Sequence, residues 1–326
     1  VRNIKVDVVA TSSVIPPVEY QLGIDKLSAL GFDLQLAENL LQQDFAYAGT
    51  AKLRANAFYK AAMSASDVVW AVRGGYGASQ LLAELEVLSA AALPQKKKTL
   101  IGYSDLTALY QFVSDRWGWE ILHAPMLASK DFHDMRSDDE QALLRLIKGE
   151  YAPVRYQEGG IKWLTVNDNF SVTAPLSGGN LAVICSMIGT PWQLDFSGKL
   201  LFLEEIGESW CKIERMLQHL LLSGSLKQCK GIVLGEFTNC FDLSPKGLKN
   251  REGDDYCALR TAFNPAQALE KVFSNLAAQL DVPIGYGVAV GHCSENAPLA
   301  LFKNYRLSTQ RGLELINNDV KVTEFL

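Results

Sequence analysis

The sequence contains no C-x-x-C pair, no H-E-x-x-H stretch, no G-x-x-x-x-G-K-[ST] loop and no G-x-G-x-x-G fingerprint. Each absence removes a class of chemistry. The six cysteines, 185, 211, 229, 240, 257 and 293, lie in the second half without metal-ligand spacing and read as reduced thiols, neither a zinc site nor a disulfide framework. Gly285-Tyr286-Gly287 followed by Gly291 has the wrong spacing for a dinucleotide turn, so neither cofactor nor metal is expected. No apolar run reaches the roughly 18 residues of a membrane span. Val1-Arg2-Asn3-Ile4-Lys5 lacks the apolar centre of a signal peptide, and a cytoplasmic protein with no membrane partner is expected. Positive charge is not in excess: 31 Lys and Arg against 36 Asp and Glu give −5, the wrong sign for a nucleic-acid partner. The one basic run, Lys96-Lys97-Lys98, follows Pro94 and reads as a solvated loop.

Apolar residues are plentiful. They make up 48% of 326 residues, in a chain longer than a single core usually grows, so two domains are expected. Residues 4–10, 32–36, 68–72, 99–103 and 121–124 read as strands. They alternate with helical patterns at 18–30, 52–64, 78–91, 105–117 and 138–147. That alternation predicts an α/β fold, a doubly wound parallel sheet with helices on both faces, for an N-terminal domain over 1–150. A C-terminal domain over 151–326 is β-rich α/β, with strands at 154–156, 161–164, 171–173, 200–208, 231–237, 283–291, 299–305 and 320–325. Its helices fall at 181–188, 210–222 and 265–280, Gly178-Gly179-Asn180 reads as a glycine turn, and 244–255 as an exposed loop.

Two stretches organise the chain: Ala71-Val72-Arg73-Gly74-Gly75-Tyr76-Gly77 and Leu100-Ile101-Gly102-Tyr103-Ser104-Asp105-Leu106-Thr107. Each leaves a strand and enters a helix, the place where open α/β sheets put their ligands and where backbone N–H groups face anions. Ser104 is there a nucleophile or an ordinary N-cap, and its own turn does not choose. A serine nucleophile needs a base and a group to orient it. Of the four histidines, His133 lies in a charged stretch and His219 in an apolar helix, where a structural role fits. His123 ends a strand beside Pro125 and is placed to line a pocket; His292, after a strand and before a polar turn, is the best base, with a structural role standing beside it. Glu204 follows Leu201-Phe202-Leu203 and is the orienting acid; Glu205 points to the opposite face by strand alternation. The other reading has either glutamate capping the strand or pairing with Arg215. Gly102-Tyr103-Ser104-Asp105-Leu106 lacks the second glycine of G-x-S-x-G, which sets the chain apart from the α/β-hydrolases. A non-catalytic module holding an anion at these turns is the rival from another class.

One set of segments in order decides among these readings. Arg73-Gly74-Gly75-Tyr76-Gly77, Ile101-Gly102-Tyr103-Ser104-Asp105, Gly178-Gly179-Asn180, Gly189-Thr190-Pro191, Leu201-Phe202-Leu203-Glu204-Glu205 with Ile213-Glu214-Arg215-Met216-Leu217, and Gly291-His292 together resemble the LD-carboxypeptidase family of serine peptidases. The resemblance implies a homodimer of two-domain chains with Ser104 as nucleophile, Glu204 and His292 facing it from the second domain, and the backbone N–H groups of Gly75 and Asp105 as the oxyanion hole. It implies removal of the terminal D-alanine from a murein stem tetrapeptide, or, in an immunity branch, cleavage of a peptidyl-nucleotide antibiotic. Cys293 stands where the family usually has glycine, and 244–255 looks longer than the usual connection. An exopeptidase must bind a free carboxylate, and the helix starts after Gly77 and Gly179 are the expected places.

Overall fold

The computed structural model describes residues 4–151, 160–164, 169–240 and 265–316. The strands expected at 154–156 and 320–325, the loop at 244–255 and Cys257 lie outside the described residues. In chain order the first half runs β1 Lys5–Val9, α1 Pro17–Ala29, β2 Asp33–Leu36, α2 Ala51–Met63, β3 Val68–Ala71, α3 Leu82–Ala91, β4 Thr99–Ile101, α4 Tyr110–Trp117, β5 Glu120–His123, α5 Lys130–His133 and α6 Ser137–Ile147. The second half runs β6 Lys162–Trp163, β7 Ser171–Asn180, α7 Leu181–Met187, β8 Leu200–Ile206, α8 Trp210–Leu222, β9 Gly231–Thr238, α9 Pro265–Ala277, β10 Ile284–Tyr286, β11 Leu299–Leu301, β12 Asn304–Ser308 and β13 Gly312–Leu315.

Among the described residues these strands form two sheets. The first has the order β2-β1-β3-β4-β5-β11, parallel from β2 to β5, with β11 antiparallel against β5. Its interior strand β3 is apolar throughout, as suits a strand covered on both faces: Val68, Val69, Trp70 and Ala71 are all buried. The chain enters at β1, steps out to β2 and returns to β3 on the other side, so the switch point lies between β1 and β3, beside the loops 10–16 and 72–77. The second sheet has the order β13-β12-β7-β8-β9-β10-β6, parallel from β7 to β10 and antiparallel at its margins. The α/β class and the parallel N-terminal sheet are therefore as expected.

Local differences have local causes. The helices expected to begin at 78 and 105 open as 3-10 turns, Ala78–Leu81 and Ser104–Leu109. The strand expected over 283–291 stops at Tyr286, and the one over 299–305 divides into β11 and β12 around Phe302, which has a φ of 59° and donates its N–H to Leu176 O at 2.6 Å. Gly178-Gly179-Asn180 is not a turn. It is the end of β7, in register with Phe202, Leu203 and Glu204 of β8. The glycine at 179 serves close approach: a Cβ there would stand 2.5 Å from Thr107 Oγ1, and the φ of 143° disfavours any side chain. Here the second sheet meets the 3-10 turn of the first, and Asn180 N–H donates to Thr107 Oγ1 at 3.1 Å.

Gly179→Ala is expected to lower stability by about 1–3 kcal/mol through overpacking. Adding Thr107→Ala should recover part of that loss in urea unfolding, and strict additivity of the two changes would contradict this contact.

Candidate active site

Ser104 opens the 3-10 turn that follows β4, with a φ of 63°, a backbone conformation that costs a residue bearing Cβ about 1 kcal/mol or more. Tyr103, not Ser104, stands in the cap position, and no side chain caps this turn. Among the described residues the Ser104 hydroxyl makes no hydrogen bond, so it is not spent on capping. The Asp105 carboxylate, buried beneath, accepts from Ala78 N–H at 2.8 Å and ties the 72–77 loop to the serine turn. Burial raises the Asp105 pKa, opposed by hydrogen bonds from Ser12 and the Ala78 amide and by the Arg54 charge. Ser13 holds the same loop from the β1 side, its Oγ accepting from Tyr76 N–H at 3.0 Å and its N–H donating to Gly74 O at 3.3 Å.

The second sheet supplies the other groups. Glu204, near the end of β8, has no solvent exposure, and its Oε2 lies 2.7 Å from His292 Nδ1. With Nδ1–H donating to that carboxylate, Nε2 is left with its lone pair. Gly291 permits the contact: a Cβ there would come 2.8 Å from Glu204 Cβ. Tyr103 lies against the imidazole with ring centroids 4.7 Å apart. Burial pulls the His292 pKa down, but the Glu204 charge and hydrogen bond, with Asp131 and Glu205 behind them, outweigh it and leave the pKa above 6.5.

Ser104, Asp105, Gly75 and His292 all line one cavity of about 590 Å³, with Glu204 behind the histidine. The same segments match known proteins. Residues 6–124 match the LD-carboxypeptidase N-terminal domain and residues 173–307 the LD-carboxypeptidase C-terminal domain. The chain belongs to the LD-carboxypeptidase family. A murein tetrapeptide carboxypeptidase of Pseudomonas aeruginosa is 29% identical, over 90% of this chain and 89% of its own. The muramoyltetrapeptide carboxypeptidase structure from Oxalobacter formigenes superposes with a TM-score of 0.75 at 25% identity, covering 96% of this chain and 99% of that one. The microcin C7 self-immunity protein MccF of Escherichia coli is 24% identical over 93% of this chain and 87% of its own. A structure of MccF in complex with glutamyl sulfamoyl guanosine shares the fold with a TM-score of 0.73 at 19% identity, covering 98% of this chain and 97% of that one.

Within this LD-carboxypeptidase fold several expectations change. Glu205 does point away from His292, but to the start of α7, where it accepts from Asn180 Nδ2 at 3.1 Å and Ala182 N–H at 2.8 Å; neither glutamate is spent on Arg215. A register shift between Leu203 and Glu205 accompanies this, and Glu205 still lines the cavity. Burial pushes its pKa up to about 7 against the hydrogen bonds from Ile206 N–H, Asn180 and Ala182 N–H. The two helix starts expected to hold a substrate carboxylate are filled from within: Ala78 N–H by Asp105, Ala182 N–H by Glu205, and Val183 N–H by Asn180 Oδ1 at 3.1 Å. The Gly75 and Asp105 backbone N–H groups, by contrast, bond to no described residue.

His123 does not line the cavity. It is fully buried under Tyr103, and burial pushes its pKa to about 4 despite the Glu204 charge. His133 Nε2 sits 2.9 Å from Leu127 O, and His219 is exposed on α8. Cys293 follows His292 with its Sγ 3.8 Å from Gly291 O, and burial pushes the thiol up to about 12. Sequence reasoning missed Asp131 and Asn296. Asn296 accepts from Gly291 N–H at 2.9 Å and donates to Asp131 Oδ2 at 2.7 Å, and Asp131 also meets the Tyr103 hydroxyl. This chain braces the turn that carries His292 from both sides. No short motif marks it, because Asp131 and Asn296 are 165 residues apart.

An NMR titration of the histidines is expected to give His292 a pKa above 6.5 and to leave His123 neutral down to about pH 4. In Glu204→Gln the His292 value should fall below that of the wild type, because burial then acts with less opposition. An unchanged value would mean that Glu204 does not govern this imidazole.

Proposed function

We propose that the chain is a serine LD-carboxypeptidase that removes the terminal D-alanine from murein tetrapeptides, acting in the cytoplasm in cell-wall recycling as a homodimer. The observation that carries the reading is the 2.7 Å contact between a fully buried Glu204 and His292, facing the cavity that Ser104 also lines. Among the described residues no helix is long and apolar enough to cross a membrane.

The chemistry follows from the placement. His292 Nε2 takes the Ser104 proton as Oγ attacks the carbonyl carbon of the third residue, and the resulting oxyanion accepts from the Gly75 and Asp105 N–H groups. The imidazolium, stabilised by Glu204, then gives its proton to the D-alanine nitrogen as the C–N bond breaks, leaving an ester on Ser104. Water, deprotonated by His292, attacks that ester and releases the tripeptide. Ser104 and Asp105 belong to the first sheet's turn and Glu204 and His292 to the second half, so the site is assembled only when both halves are in place.

Mass spectrometry of murein tetrapeptide incubated with the enzyme should show loss of one alanine. Cleavage of a peptidyl-nucleotide amide alone would instead place the chain with the immunity peptidases. Ser104→Ala should fold normally and lose at least about a thousandfold in turnover. Glu204→Gln should cost far more than Glu205→Gln, since Glu205 binds backbone and Asn180 instead of the imidazole. Because the base must be neutral, kcat/KM should fall on acidification with a midpoint above pH 6.5, following the raised His292 pKa. An acid limb below that would assign the base to another group. Sedimentation velocity reads the dimer directly.

A further inference from the structure

An exopeptidase must recognise the end of its substrate, yet both helix starts that face the cavity are already occupied by Asp105 and Glu205. The cavity wall is otherwise rich in acid: Asp105, Glu205 and Glu208 line it, the last paired with Lys212 at 2.8 Å. Among the described residues one lining Lys or Arg stands against them, Arg73. It is half-buried, and its Nη1 donates to Val14 O at 2.9 Å, a bond that steadies the guanidinium without neutralising it. Among the described residues no carboxylate pairs with it. An arginine has five N–H donors, so donors remain for a planar, two-oxygen anion.

The position along the chain matters as much as the charge. Arg73 precedes Gly74, whose hypothetical Cβ would stand 3.0 Å from Ser104 Oγ, and Gly75, whose N–H bonds to no described residue. The loop that backs the nucleophile therefore carries the cation. In a peptide cleaved one residue from its end, the scissile carbonyl and the terminal carboxylate are separated by that one residue, and a single short loop can address both. We propose that Arg73 holds the free α-carboxylate of the terminal residue and is the specificity-determining residue that makes this site an exopeptidase. This inference rests on the peptidase reading above and adds the group that counts the residues. The loop's position is fixed from beneath by Asp105 and from the side by Ser13, so the guanidinium is held on a braced support.

The test is steady-state kinetics of the wild type, Arg73→Gln and Arg73→Lys on the murein tetrapeptide carrying meso-diaminopimelate at its third position, and on the same peptide with an amidated C-terminus. The wild type should favour the free acid by about a hundredfold in kcat/KM, the scale of losing one partner of a charged hydrogen bond. Arg73→Gln should lose at least about tenfold of that preference, through a raised KM on the acid and little change on the amide. Arg73→Lys should lie between. Equal wild-type rates on acid and amide overturn the proposal whatever the variants do, as does full preference retained in folded Arg73→Gln or, if that variant does not fold, in Arg73→Lys. If the wild type cleaves neither peptide, the tetrapeptide reading falls, and the anchor is decided by calorimetry on Ser104→Ala with and without Arg73→Gln. Tighter binding of the acid that disappears with Arg73 upholds it, and indifference to the terminus overturns it.

Discussion

A carboxylate with no exposure to solvent holds an imidazole at 2.7 Å, and much of the molecule exists to make that arrangement tolerable. Burying an ionised carboxylate costs several kcal/mol unless charge and hydrogen bonds compensate. Glu204 Oε1 has no hydrogen-bond partner among the described residues, so compensation falls largely on His292. The consequence is a histidine whose proton affinity Glu204 of β8 raises against the pull of burial, and whose orientation leaves little freedom. Tyr103 against the ring, and the Asn296–Asp131 bridge beneath the Gly291 turn, remove what freedom is left.

Close approach is the second constraint. Two sheets that share one site must bring backbone to within side-chain distance of side chains, and the chain does this with missing Cβ atoms where β7 passes Thr107 and where the His292 turn passes Glu204. Polar side chains then fill the backbone groups exposed there. Asp105 and Glu205 do the same work at two places along the cavity, each accepting from an amide at the start of a short helix.

Much of this was legible in the sequence, and the exceptions have physical reasons. Alternation of apolar runs with helical periodicity located the parallel sheet, and the strand-turn-helix context located Ser104, because both depend on neighbours in sequence. Strand parity separated Glu204 from Glu205 for the same reason. Gly178-Gly179-Asn180 misled, since a glycine pair marks a turn or a close contact equally well until the opposing Thr107 is known. His123 ends a strand in a way that suits a pocket, and only packing under Tyr103 and against Phe202 shows it sealed. The Asp131–Asn296 bridge and the surroundings of Arg73 arise from segments that meet only in the folded chain, and no spacing announces them.

The short strand β11 gives the architecture one more property. Having left β10 in the second sheet, the chain passes through His292 and then joins the first sheet beside β5, with Leu299 opposite His123. The histidine is thus mounted on a tether fastened at both ends, one to each sheet. The segment that carries His292 therefore bridges the half that holds Glu204 and the half that holds Ser104, so a shift of one sheet against the other is transmitted to it. The same tether covers the outer edge of β5, and a chain lacking it would present an open strand edge of the kind that recruits other chains.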